Sequence, residues 1–184
     1  MFRLTYIIMI CLGLLYSGTP QFYQTTSLKI NFFSSAPVED IDANSSEGIM
    51  VLNLENGATS IKVPLRSFQF KKALMQEHFN ENYVESEKFP EAFFKGKVEN
   101  IKDLKPGTTA VYNLVGDFTI HGVTQKRTLP LSLSLSKDGK TLSINSEFKV
   151  ACEDHQIKIP QILWQNIAEV VDVKAEGQLK PLNQ

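Results

Sequence analysis

His78, His121 and His155 are the side chains in this chain best suited to chemistry. An imidazole near neutral pH can ligate a metal or pass a proton. The three lie far apart in sequence, with none of the short spacing of a metal site. Glu77-His78 lacks the second histidine four residues on that a zinc-protease helix needs. Each histidine reads better as a polar turn or surface residue than as a metal ligand. His121 precedes Gly122, and a histidine there can bond the neighbouring backbone and hold a turn. Cys152 would be a nucleophile only with an activating base, and a lone cysteine at a strand end is more often a small apolar residue. No Gly-x-Ser-x-Gly elbow, glycine-rich phosphate loop or marked carboxylate pair occurs. The polar run Gln76 to Tyr83 could form a headgroup-binding edge or simply a solvated helix face. The expectation is therefore no catalytic residue, no metal and no cofactor.

The elements that would position these residues are strands. Eight strand-like runs follow one another at about 27–33, 49–54, 59–65, 92–101, 108–120, 124–136, 141–151 and 170–179. Most are separated by turn signals: Asn56-Gly57, Pro106-Gly107, His121-Gly122 and Asp138-Gly139. Leu129, Leu131, Leu133 and Leu135 alternate with polar residues. So do Tyr112, Leu114, Phe118 and Ile120 in the run before, and Leu142, Ile144, Phe148 and Val150 in the run after. Period-two alternation marks strands with one face in a core and one in water. Eight hairpin-linked strands must dispose of their edges, and closing into a barrel does so. Pro130 cannot donate a ladder hydrogen bond, which predicts an edge, a bulge or a strand end there. Two segments break the alternation: a short helical insert is predicted near 70–86 and a short helix near 160–168.

At 184 residues and a formal net charge of −1, the chain suits one domain with scattered basic residues. That argues against nucleic acid as a partner. Twelve Phe against one Trp suits an apolar interior, either packed or left open for a greasy ligand. At the N-terminus Arg3 precedes an apolar run from Leu4 to Tyr16, followed by Ser17-Gly18-Thr19-Pro20. This has the layout of a secretory signal peptide over residues 1–18 and is short for a span of roughly 20 residues. Its removal would leave Cys152 as the sole cysteine, without an internal disulfide.

Gly116-Asp117-Phe118-Thr119-Ile120-His121-Gly122-Val123-Thr124 resembles the strand, His-Gly-Val-Thr and strand pattern of the YceI-like family. Glu87-Lys88-Phe89-Pro90-Glu91-Ala92-Phe93-Phe94 is similar to the family's segment before an aromatic-rich strand. The resemblance covers about residues 25–180. It departs from the family form near Pro37 to Ala43 and from Ile157 to Ile162, where a barrel mouth would lie. It implies an all-β, single, antiparallel, eight-stranded, lipocalin-like barrel that binds an isoprenoid or other lipid and is not an enzyme. The signal-peptide layout of residues 1–18 implies a periplasmic or secreted protein with no stable membrane span once the signal is removed. The candidate lining set is Phe68, Phe70, Phe94, Tyr112, Leu114, Phe118 and Trp164. A filled barrel acting as a structural or interaction module, and a histidine-dependent enzyme, remain as other readings. Oligomeric state is open, a homodimer included.

Overall fold

The computed structural model describes residues 21–35, 40–159 and 169–182. The signal segment, the helix expected near 160–168 and Trp164 lie outside the described residues. The strands are β1 (Phe22–Ser34), β2 (Ile41–Asn53), β3 (Ala58–Pro64), β4 (Gln69–Phe70), β5 (Glu91–Val98), β6 (Thr109–Ile120), β7 (Val123–Leu135), β8 (Leu142–Ala151) and β9 (Val170–Pro181). Their order is β1-β9-β8-β7-β6-β5-β3-β2, and β1 pairs with β2 to close the barrel. All pairings are antiparallel. The fold is thus the expected eight-stranded barrel. The two-residue β4 is an extra strap, paired with β2 at Ala43 and Asn44. The helical insert is present as α1 (Ala73–His78) running into a π-helical turn, Phe79–Tyr83.

β6 and β7 pair along their whole length, from Thr109↔Ser134 to Ile120↔Val123. Only His121 and Gly122 remain to turn the chain, with φ of 53° and 72°. Two consecutive positive φ angles define a type I′ turn, whose twist matches the flanking strands. Gly122 has a second reason to be glycine. A Cβ there would meet the Phe89 ring at 2.5 Å.

Pro130 occupies an edge inside a strand. β7 pairs with β8 only from Ser132↔Asn145 to Leu135↔Leu142. Beyond that the seam is held by side chains reaching backbone. Ser146 Oγ donates to the Pro130 carbonyl at 2.6 Å, and Arg127 donates to the Lys149 carbonyl at 2.5 Å. Gln125 donates to the Asp154 carbonyl at 2.8 Å, in the 3-10 turn Glu153–His155. Proline has no N–H to offer, so a ladder carried through it would lose a bond.

The barrel interior divides along its axis. One end is filled by Tyr23, Leu52, Leu133, Leu135, Leu142 and Leu179, all at most 2% exposed, and Ile101 and Leu104 of the β5–β6 connection are buried in the same core. The Tyr23 hydroxyl donates to the Gly139 carbonyl, tying β1 to the β7–β8 turn. Burial, then Asp138, pushes the Tyr23 hydroxyl above its ordinary pKa, so it stays a donor. Tyr23→Phe is expected to cost about 1 kcal/mol in urea unfolding, the usual net worth of one hydrogen bond. An unchanged midpoint would count against that bond.

Candidate ligand-binding site

The other end of the barrel is hollow. A cavity of about 460 Å³ lies there, within the range of roughly 300–1,000 Å³ common to small-molecule sites. Its walls come from alternating inward positions: Leu28, Ile30 and Phe32 of β1, Leu114 and Phe118 of β6, Phe148 and Val150 of β8, and Val171 and Val173 of β9. β-strand pleating puts every second residue on this face. The insert adds Met75, His78, Phe79 and Tyr83. Phe32, Phe68, Phe70 and Phe79 form one aromatic cluster, with ring centroids 5.1–5.7 Å apart. It packs α1 and its π-helical turn onto β1 and β4.

Of the candidate lining residues, Phe68, Phe70, Phe94, Leu114 and Phe118 border this cavity. Tyr112 does not. It shares the inward face of β6 but packs partly buried against the core, near enough to Asp103 for that charge to raise its pKa, after burial. Phe32, Phe79 and Phe148 border the cavity and were absent from the candidate set. Their inward positions on alternating strands, or on the insert's apolar stripe, were the signal that could have found them.

The histidines fall into distinct settings. His78 borders the cavity on α1. His155 is not a surface residue; it is fully buried, with its ring edge-on to Phe118 at 5.1 Å. Its Nδ1 lies 3.0 Å from the Val123 carbonyl, which can only accept, so Nδ1 carries the proton. Burial lowers the His155 pKa and keeps the ring neutral. His121 holds more than its own turn: its Nδ1 lies 3.1 Å from the His155 carbonyl and its Nε2 2.6 Å from the Glu85 carboxylate. Neither nitrogen is free for a substrate. Cys152 is buried, and burial, then Glu169, raises its pKa. It stays a thiol, the inert form. Among the described residues, no three His, Cys, Asp or Glu side chains converge as metal ligands. No described helix is long and apolar enough to cross a membrane.

An eight-stranded barrel can fill its interior with side chains or leave room for one small ligand, and one end of this barrel is hollow and apolar. Residues 24–179 match the model of the YceI-like domain. The chain belongs to the YceI-like family. Its barrel is similar to a solved polyisoprenoid binding domain from Saccharophagus degradans implicated in plant cell wall breakdown. That match has a TM-score of 0.75 at 12% identity, covering 89% of this chain and 99% of that one. Burkholderia cenocepacia BcnA matches with a TM-score of 0.64 at 14% identity, covering 83% of this chain and 95% of that one. The YceI protein of Campylobacter jejuni matches with a TM-score of 0.62 at 14% identity, covering 79% of this chain and 88% of that one. At these identities the likeness concerns the fold. No curated protein matches the chain. In this YceI-like barrel, the His-Gly turn and the Phe89-Pro90 segment pack together, His121 lying edge-on to Phe89 with centroids 4.9 Å apart.

Proposed function

We propose that this YceI-like chain is an exported binding protein that holds a long apolar chain, an isoprenoid or other lipid, in the hollow end of its barrel. The apolar cavity of about 460 Å³ carries the reading. A void of this size lined by Phe, Leu, Ile and Val forgoes packing contacts that a core would normally make. An apolar guest restores them. Burial supplies about 25 cal/mol per Å² of apolar surface removed from water. Phe68, Phe70, Phe94, Leu114 and Phe118 would contact the guest, with Phe32, Phe79 and Phe148. Their role is shape and exclusion of water. Binding without catalysis fits a site whose thiol is raised in pKa and whose His121 has both nitrogens engaged. That one of the structural neighbours is a polyisoprenoid binding domain supports the same class of guest.

Residues 1–18 would act as a signal peptide, delivering the barrel to the periplasm or the medium. N-terminal sequencing of protein recovered from that fraction checks this. The binding reading is tested by organic extraction of purified protein and mass spectrometry of the extract. Added isoprenoid or fatty acid is then expected to stabilise stripped protein by about 2.7 kcal/mol at a concentration of about 100 times its Kd. No extracted lipid, and no stabilisation by either class, would leave a structural or interaction barrel as the better reading.

A further inference from the structure

We propose that Glu85, His121 and the His155 carbonyl form a proton-dependent clasp holding the helical insert over the hollow end. Guest exchange is then slowest in the pH window where Glu85 is ionised and His121 carries two protons. The proposal rests on the binding reading above for its guest, but the clasp itself can be seen without one.

The clasp joins three segments distant in sequence. Glu85 follows the insert, whose Met75, His78, Phe79 and Tyr83 wall the cavity. His121 is the β6–β7 turn, next to Ile120 in the cavity wall. His155 closes the 3-10 turn between Cys152 and Ile157, which also border the cavity. The bonds between turn and 3-10 segment are reciprocal: His121 Nδ1 meets the His155 carbonyl, and His155 Nδ1 meets the Val123 carbonyl. Four described residues other than glycine have positive φ: Glu85, Asn100, His121 and Gln156. Two of them are the clasp's side chains and a third adjoins its carbonyl. Such angles cost energy and persist only where surrounding contacts impose them.

The protonation state follows from the partners. A carbonyl oxygen and an ionised carboxylate can only accept. Both His121 nitrogens must therefore donate, which requires the imidazolium. Glu85 and Lys88 face this ring from the chain after the insert; the Lys88 ammonium sits 4.9 Å from the Phe89 ring centroid, and that ring packs on His121. From the 3-10 turn come Asp154 and neutral His155, and from β7 Arg127, 3.9 Å from Asp154. The Glu85 carboxylate lies 2.6 Å from His121 and opposes its charge directly.

Each end of the window has its sign. The hydrogen bond from His121 holds the Glu85 carboxyl below its ordinary pKa, with Lys88 adding to this. Its contribution is present above that ordinary value and is lost as pH falls through the lowered one. At the other end, a His121 ring with a single proton leaves one of its two acceptor oxygens facing a lone pair. Either change removes one charge-assisted bond.

The experiment has a ligand-free arm and a ligand arm, each run across about pH 4 to 9. Imidazole ¹⁵N shifts of the ligand-free protein are expected to show both His121 nitrogens protonated in mid-range. Release of the apolar fluorophore N-phenyl-1-naphthylamine, followed by stopped flow, is expected to be slowest there and about tenfold faster at each extreme. His121→Asn keeps a residue that tolerates the left-handed turn. It should release the fluorophore fast at every pH. Glu85→Gln should lose the acid limb, because its amide does not titrate and can donate to a singly protonated His121 as well as accept, and it decides the matter if His121→Asn does not fold. A singly protonated His121 ring in mid-range overturns the clasp. So does an unaltered pH profile in folded His121→Asn, or an acid limb retained in Glu85→Gln. A fluorophore that never binds would count against the binding reading instead, and the ring shifts would still decide the clasp.

Discussion

Gly116→Val is expected to cost about 4 kcal/mol or more, a large share of the roughly 5–15 kcal/mol by which an ordinary domain is stable. Gly96 of β5 and Gly116 of β6 face each other directly in the barrel wall. A Cβ on Gly116 would lie 2.4 Å from the Lys95 carbonyl oxygen and 2.5 Å from the Gly96 Cα. Both atoms are backbone and cannot swing aside as a side chain could. The reverse substitution site is no more open: a Cβ on Gly96 would meet the Val115 carbonyl oxygen at 2.2 Å and the Phe94 ring at 2.8 Å. Neither glycine has a positive φ, so the constraint is contact and not backbone angle. Relief would require β5 and β6 to separate, breaking a ladder that runs from Phe93↔Thr119 to Val98↔Leu114. Soluble yield and urea unfolding measure the effect. Val115→Thr, at a neighbouring position 38% exposed, is the control and should stay within about 0.5 kcal/mol of the parent. A Gly116→Val protein with the parent's midpoint would mean that the two strands are not this close.

Ala175→Trp is expected to weaken binding of N-phenyl-1-naphthylamine by about 100-fold, or about 2.7 kcal/mol, while leaving the barrel folded. Ala175 is a buried β9 residue on the cavity wall, between Ile30 of β1 and Ser146 of β8. An indole has space to enter there, because about 460 Å³ lies in front of it. The same addition at a filled site has none. Leu133→Trp, at a fully buried position of the closed end, should lose about 1–3 kcal/mol of stability from overpacking. The pair separates plugging from unfolding: one variant folds without binding, the other suffers in stability. Unchanged fluorophore affinity in a folded Ala175→Trp protein would place the guest outside this cavity.

Much of the barrel was legible from local pattern. Leu129, Leu131, Leu133 and Leu135 were expected on one face and are all buried. His121-Gly122 was expected as a turn and forms one of two residues. The first half of β2 was missed, because its inward positions include Ala43 and Ser45, which give no apolar alternation. Ser45 is buried all the same, its hydroxyl 2.6 Å from that of Ser67, which ends the 3-10 turn before β4. A short hydroxyl can face inward only because another chain segment, 22 residues away, supplies its partner. Tyr112 shows a different limit. Period two assigns it to the inward face and says nothing about its depth along the barrel axis, so it was grouped with residues around a void it does not touch. His155 reads from the sequence as a polar turn or surface residue, because burial of a polar ring depends on the Val123 carbonyl, 32 residues away, being there to accept its proton.

The sequence alone determined which side of each long strand is apolar, where the chain turns, and that eight such strands need closure. These follow from alternation and turn chemistry, which act over a few neighbouring residues. Whether the closed barrel is filled or hollow was decided only by the tertiary structure. Enclosed volume depends on how all eight strands stagger and tilt together, and no single strand encodes that sum. The same holds for the histidines. His121 and Glu85 are 36 residues apart, and His121 and the His155 carbonyl 34. Their chemistry as a bonded set exists only because closure brings the insert, the hairpin and the 3-10 turn to one end of the barrel.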